Sequence, residues 1–136
     1  MMPKFRAFIK LENAVNPMQT VAKINFEKES VTIEQGLVFK FNDVELMQST
    51  GLKDKNGVKI FEGDILKIIN LEYGEETFGQ VVWGLNYQLC GNYPAFFVPE
   101  FESEMNSFAE IFDTGNYLVE IIGNIHQDPE LLEVTK

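Results

Sequence analysis

The sequence predicts a mainly β protein of the α+β class, with an N-terminal β-meander, a C-terminal SH3-like small β-barrel and one or two short helices. Apolar and polar residues alternate repeatedly between residues 20 and 48, which is the pattern of half-buried strands. After residue 50, short β-prone runs are separated by glycine-containing turns, as in small antiparallel barrels. The length of 136 residues fits a single domain of ordinary size, and twelve Phe supply material for a core.

The first 49 residues are predicted to form the meander. FRAFIK (5–10) is a short strand, and LENAVNPMQ (11–19) is a loop because Asn and Pro break regular structure. Period-two alternation follows at residues 21–26, 31–33 and 39–41, with polar turns between the runs. One face of this sheet is expected to be buried. We therefore assign residues 1–49 to an N-terminal subdomain.

Residues 50–136 are assigned to the SH3-like barrel with a short helix near its end. The stretch TGLKDKNGVKIFEGDIL (50–66) opens it, and Asn56-Gly57 predicts a type I′ hairpin turn, which requires a positive φ at both residues. Glu62-Gly63-Asp64 predicts a second tight reversal. The remaining strands are expected at 58–61, 65–70, 78–84, 95–98 and 116–125, with Gly123 as a bulge or a point of close approach.

Two segments are helix candidates. Phe101, Met105, Phe108 and Phe112 recur at a spacing that fits one face of a helix, although helix and strand both stay open for residues 100–112. QDPELLEV (127–134) has the features of a helix start, with Asp128 as N-cap and Pro129 at the first helical position.

The residues Gly51, Asn56, Gly57, Gly63 and Asp64 are interpreted as a structural turn motif. The carboxylate pairs Glu62/Asp64 and Asp54/Asp64 could in principle perform acid–base chemistry. Both pairs flank turns, where Asp and Glu commonly accept local hydrogen bonds. We therefore favour a role in bending the backbone.

Few residues are available for other chemistry. His126 is the only histidine and Cys90 the only cysteine, whereas a structural zinc site is built mostly from several such ligands. DKNG (54–57) departs from a calcium loop, because Ile65 stands where a bidentate Glu is needed. No phosphate-binding glycine motif is present. We expect no enzymatic activity, no metal and no cofactor.

Charge is distributed unevenly along the chain. The net charge is −10, and from Ile68 to Thr135 there is no Lys or Arg against twelve Asp and Glu. Such a half is a poor surface for phosphates and would be repelled by an acidic membrane. It could meet a basic protein, or it could serve only to keep the protein soluble. The absence of an apolar leader or of a long apolar run predicts a cytoplasmic protein.

The leading interpretation is a non-enzymatic protein-interaction module. Its candidate interaction patch contains Trp83, Phe96 and Phe97, for which core packing is the alternative reading. A second hypothesis is a nucleic-acid-binding accessory protein that uses the basic hairpin region of Lys53, Lys55, Lys59 and Lys67. A third is a self-assembling structural protein that forms a homo-oligomer through exposed Phe side chains and a sheet edge.

Three blocks of the sequence also show a family resemblance. FRAFIK, DVELMQSTGLKDKNGVKIFEGDILKI and VEIIGNIHQDPELLE resemble the YopX-like family of phage and prophage proteins over nearly the full chain. The family pattern usually has Trp at the position of Phe8 and Tyr at the positions of Ser49 and His126. The resemblance implies a phage-encoded protein of the bacterial cytoplasm, and it implies no catalytic residues.

Overall fold

The protein is mainly antiparallel β, as the sequence predicts. The structure is a computed structural model that describes residues 4–86, 93–101, 111–112 and 115–133. These residues contain eleven strands, and the chain divides into two compact units, residues 1–49 and 50–136. Each unit has a hydrophobic core of its own.

The first unit is an antiparallel sheet in which β4, β3, β2 and β1 are neighbours in chain order, as in a meander, and β5 pairs with the other side of β1. A 3₁₀ helix at Phe41–Asp43 leads into β5, whose last residues belong to the second unit. The strands are β1 Phe5–Ile9, β2 Met18–Asn25, β3 Ser30–Ile33, β4 Val38–Lys40 and β5 Val44–Lys53.

One face of this sheet carries the core of the first unit. Ala7, Ile9, Val31 and Val44 are buried there, and half-buried apolar side chains of neighbouring strands pack against them. The buried positions alternate along β1 and β3 with more exposed ones. The alternation read from the sequence at residues 31–33 therefore matches the buried positions of β3.

The second unit contains a three-stranded sheet of order β11-β7-β8 and a two-stranded ribbon of β9 and β10. In addition, β6 lies beside the end of β5, where the Thr50 hydroxyl donates to the Ile60 carbonyl at 2.8 Å. The strands are β6 Lys59–Phe61, β7 Asp64–Asn70, β8 Glu76–Gln80, β9 Val82–Asn86, β10 Tyr93–Phe97 and β11 Tyr117–Asn124.

The core of the second unit is built around β7. Leu66 and Ile68 are fully buried and share a cluster with Val119 of the neighbouring strand β11. The other buried members of the cluster are Ile60, Val81, Val98, Phe101 and Ile111. Burial of both faces explains why β7 reads as an almost continuous apolar run rather than an alternating one.

Some predictions about the second unit need correction. Among the described residues the sheets are open and form no closed barrel, so the SH3-like barrel is not confirmed. The single strand predicted for 78–84 is two strands, β8 and β9, interrupted at Val81. At this interruption the Val81 N–H donates to the carbonyl of Asp64, the first residue of β7, and the Val81 carbonyl accepts from the N–H of Gly63 just before it.

Two short helical segments are described. Ile111 and Phe112 are helical, while most of the candidate helix at 100–112 lies outside the described residues. The predicted helix start near residue 128 is present as one turn at Glu130–Glu133. None of the helices in the described part of the chain is long and apolar enough to cross a membrane.

Candidate functional site

The central hairpin between β5 and β6 is organised by the carboxylate of Asp54. Asp54 Oδ1 accepts hydrogen bonds from the backbone N–H groups of Asn56 and Val58, both at 2.9 Å. The backbone of Asp54 closes the loop, because its N–H donates to the Val58 carbonyl and its carbonyl accepts from the Gly57 N–H. A side chain of this length can satisfy turn donors only when it sits at the start of the turn.

The type I′ turn predicted at Asn56-Gly57 is wrong. Gly57 has a φ of +80°, but the φ of Asn56 is not positive, as type I′ would require. The hydrogen bonds instead define a β-turn from Asp54 to Gly57, and Gly57, its last residue, lies in the left-handed region. This is the three-residue hairpin loop in which the glycine forms a bulge. The sequence signal located the hairpin but did not distinguish between the two turn types.

The same carboxylate also links the hairpin to β11. Asp54 Oδ2 accepts a hydrogen bond from the Ile121 N–H at 3.1 Å, across 67 residues of sequence. Beside it, the Lys55 N–H donates to the Val119 carbonyl at 2.8 Å, and Lys55 Nζ lies 3.7 Å from Glu120 Oε2. The hairpin is therefore docked on a strand that is distant in sequence.

Asp54 is only 8% exposed, yet it is stabilised in its charged form. Burial by itself raises the pKa of the carboxyl, because it removes water from the charge. The backbone N–H donors of Ile121, Val58 and Asn56, together with the positive charge of Lys55, outweigh burial and bring the pKa below its ordinary value of 3.8. Asp54 is therefore an ionised acceptor at neutral pH and not a proton donor.

Gly63 and Asp64 form a second junction. The Gly63 N–H donates to the Val81 carbonyl at 2.8 Å, and the Gly63 carbonyl accepts from the Ile125 N–H at 2.9 Å. Asp64 is 1% exposed, and its Oδ2 accepts from the Phe61 N–H at 2.8 Å. Gly63 has a φ of +89°, which favours glycine at this corner.

The structure also locates Gly51 and His126, which the sequence analysis singled out. Gly51 has a φ of +82° within β5. His126 is half-buried in the turn after β11, where its backbone N–H donates to Asn124 Oδ1. Cys90 lies outside the described residues. Within the part of the chain that is described, no three His, Cys, Asp or Glu side chains are grouped so that they could hold a metal ion.

Two of the four lysines of the basic hairpin region, Lys55 and Lys67, lie beside acidic side chains. Lys67 Nζ lies 3.5 Å from Glu76 Oε1, and Lys67 is directly opposite Glu120 across the β7–β11 pair. Because Lys55 also contacts Glu120, the two lysines and two glutamates form an alternating row of charges. Lys53 and Lys59 are exposed.

The aromatic residues of the candidate patch are only partly brought together. Trp83 of β9 is 46% exposed and packs against Phe96 of β10, with ring centroids 4.7 Å apart at an angle of 60°. The two residues are cross-strand partners. Phe97 pairs with Val82 instead, so strand alternation places it on the opposite face of the ribbon.

Several turn-forming residues were missed by the sequence analysis. Asn70 Oδ1 accepts from the N–H groups of Glu72 and Tyr73, and Asn124 Oδ1 accepts from those of His126 and Gln127. Each Asn ends a strand immediately before a turn, which is the position at which an Asn side chain replaces strand pairing. An Asn at the end of a predicted strand was therefore a signal in the sequence that could have identified both turns.

The fold and this geometry define a mainly β protein in which buried carboxylates and amides hold tight turns. The family model described as YopX protein matches residues 4–133, so the chain belongs to the YopX family and the predicted resemblance is confirmed. It is similar to the crystal structure of protein EF1440 from Enterococcus faecalis, with 30% identity, a TM-score of 0.57, and coverage of 97% of this chain and 99% of that one. No curated protein matches the chain.

Proposed function

We propose that the protein is a non-enzymatic protein-interaction module whose contact surface centres on Trp83 and Phe96. The observation that carries the proposal is the exposed Trp83 ring, which rests on Phe96 at 4.7 Å. Phe96 in turn packs against the core of the second unit. The exposed Trp83 ring is therefore held in place by its contact with Phe96. Little conformational freedom of the Trp83 side chain would be lost when a partner covers it.

A supported tryptophan suits the centre of a protein interface. Tryptophan is enriched among the few residues that contribute most of the binding free energy, because it buries a large area and keeps a polar N–H group. Tyr73 is also exposed, but it lies in the turn that Asn70 organises, where its backbone N–H donates to Asn70 Oδ1. The two aromatic residues thus offer a matched comparison.

The charge of the surrounding sequence supports a basic partner. From Ile68 to Thr135 the chain has twelve acidic residues and no Lys or Arg, and Trp83 and Phe96 both fall within this segment. Complementary charge accelerates encounter and selects partners more than it adds affinity. We therefore infer a protein with a basic surface around an apolar anchor site, met in the bacterial cytoplasm during phage or prophage growth.

The alternative hypotheses have less support. A nucleic-acid surface needs cations that reach phosphates, but Lys55 and Lys67 lie beside Glu120 and Glu76. A homo-oligomer could also cover Trp83, and it stays an outcome of the experiment. An enzyme would need a titratable group for chemistry, whereas the carboxylates of Asp54 and Asp64 accept hydrogen bonds from the backbone.

The experiment compares three forms of the protein as bait in lysate of a phage host: wild type, Trp83→Ala and Tyr73→Ala. We expect at least one protein to be retained by wild type and by Tyr73→Ala, and its retention to fall about tenfold or more with Trp83→Ala. Its retention should also fall between low and high salt.

Light scattering on each form provides the control for self-association. A wild-type mass of more than one chain that Trp83→Ala reduces to one would support the homo-oligomer instead. Identical retention by wild type and Trp83→Ala, or no retained protein at low salt, would contradict the proposal.

A further inference from the structure

The first unit contains a pocket on the apolar face of its sheet. The pocket has a volume of about 410 Å³ and lies between the loop that follows β1 and the turn that joins β3 to β4. Ile9, Ile33 and Phe39 line its inner part. Its volume falls within the range of roughly 300–1,000 Å³ that is usual for small-molecule sites.

Three exposed large apolar side chains of the first unit lie together at this pocket. Val15 is 91% exposed, Leu37 60% and Leu11 48%, and all three line it. Scattered single apolar residues need no explanation on a protein surface, but several around one concavity are typical of a binding site. Their exposure would be relieved by an apolar molecule that fills the space between them.

The walls of the pocket are held by backbone hydrogen bonds. The Ile9 N–H donates to the Pro17 carbonyl at 2.7 Å, and the Lys10 N–H donates to the Asp43 carbonyl at 2.8 Å, which fixes the two ends of the loop after β1. On the other side, the Ile33 N–H donates to the Leu37 carbonyl at 3.0 Å. A cavity formed in this way exists before any ligand arrives, so little order has to be gained on binding.

The polar groups at the pocket are all uncharged. The described residues that line it include the carboxamides of Asn13, Asn16, Gln19 and Gln35 and no ionisable side chain. The lining of the pocket is therefore uncharged, although 24% of the residues in the chain are charged and its net charge is −10. The Gln19 side-chain amide donates to the Asn16 carbonyl at 2.7 Å, which orients it in the wall. A charged ligand would lose hydration here without gaining a counter-charge.

We propose that this pocket binds a small, electrically neutral and largely apolar molecule that exchanges hydrogen bonds with carboxamides at its edge. A concave site of this volume has the size of a small-molecule site, whereas a folded protein partner usually covers about 800 Å² of surface on each side. The inference concerns the first unit and is independent of the proposed surface at Trp83.

Two fluorescent probes of nearly the same shape test the proposal. N-phenyl-1-naphthylamine is neutral, and 8-anilino-1-naphthalenesulfonate carries the same rings with a sulfonate. Titrations are performed on the full chain at about 0.5 M NaCl, so that the net negative charge does not repel the anion at long range. We expect saturable binding of one neutral probe per chain, and binding of the anionic probe weaker by about tenfold or more.

Charged substitutions locate the probe. Val15→Glu and Leu37→Lys place a charge of either sign at the pocket, and each should weaken binding of the neutral probe by about tenfold. Val58→Glu and Leu71→Glu alter similarly exposed apolar residues outside the pocket and should change it by less than about twofold. Circular dichroism checks that each variant is folded. We expect this because all four substituted residues are exposed.

Three results would overturn the proposal. The first is the absence of saturable binding of the neutral probe, and the second is an anionic probe that binds as tightly as the neutral one. The third is an equal loss of binding in the pocket variants and in the variants outside it, which would place the probe elsewhere.

Discussion

At the scale of single residues, Asp54 shows how a carboxylate in a small protein can be structural. Its two oxygens accept three backbone hydrogen bonds, two within its own hairpin and one from Ile121 of β11. Backbone donors buried without an acceptor are costly, so one side chain here satisfies groups on both sides of a contact. A reaction would require this carboxylate to exchange protons or ligands, and its hydrogen bonds oppose both.

Replacing Asp54 by Asn should destabilise the protein by about 2 kcal/mol. The amide oxygen can still accept hydrogen bonds from Asn56 and Val58, but the amide N–H₂ then faces the Ile121 N–H as a second donor. Urea unfolding at neutral pH measures the loss, and Glu72→Gln, at an exposed position in the 71–74 turn, serves as the matched control. Equal stabilities of Asp54→Asn and Glu72→Gln would contradict this role.

The same pair of proteins has a predictable dependence on pH. Because the folded pKa of Asp54 is lowered, its stabilisation is complete above the unfolded value of about 3.8 and is lost as the pH falls through the folded value. The difference in unfolding free energy between wild type and Asp54→Asn should therefore be constant near neutral pH and shrink below about pH 4. A difference that grows on acidification would refute the assignment.

At the scale of elements, β11 has an irregularity near its end, where Gly123 lies close to Asp128 and to Leu131 of the helical turn Glu130–Glu133. The register against β7 shifts between Ile121 and Gly123, which confirms the predicted bulge or close approach. A Cβ atom on Gly123 would lie 2.6 Å from Asp128 Oδ2 and 2.9 Å from Leu131 Cδ1. Asp128 cannot easily withdraw, because its carboxylate accepts a hydrogen bond from the Asn124 N–H.

Gly123→Ala should therefore cost about 1–3 kcal/mol through steric overlap alone, since Gly123 does not have a positive φ. Thermal unfolding and amide exchange near residues 128–133 would record the loss. The matched test is the same substitution in an Asp128→Ala background, where one overlapping group is gone and the cost should be smaller. If both backgrounds lose the same stability, close approach to Asp128 is not the cause.

Local patterns predicted the elements better than they predicted the contacts between them. Alternation located β2, β3 and β4, and the turn residues located the hairpin between β5 and β6, because both signals depend on neighbours in sequence. The break at Val81 was missed, since Val81 bonds Gly63 and Asp64, which are distant from it in sequence. The bond from Ile121 to Asp54 was missed for the same reason. The pocket of the first unit carries no motif and depends on how two loops approach each other.

At the scale of the whole molecule, the uneven charge has a measurable effect. Net charge far from zero opposes the compact state through repulsion. The melting temperature should rise by a few degrees as NaCl increases from about 0.01 M to about 0.15 M, since the Debye length falls from about 30 Å to about 8 Å. Glu72→Lys reduces the negative charge and should show a smaller rise. A melting temperature that falls with salt would mean that ion pairs such as Lys55–Glu120 dominate.

The pairing of β7 with β11 also determines when the two units can form during synthesis. The pairings of β1 with β2 and β5, and of β3 with β2 and β4, all lie between residues 5 and 48, so they can form once that segment has left the ribosome. By contrast, the pairing of β7 with β11 and the hydrogen bond from Ile121 to Asp54 both require residues 117–124. These residues are synthesised about fifty residues after β7. Throughout that interval the apolar run Ile65–Ile69 has an unpaired edge, which makes the nascent chain a target for chaperones.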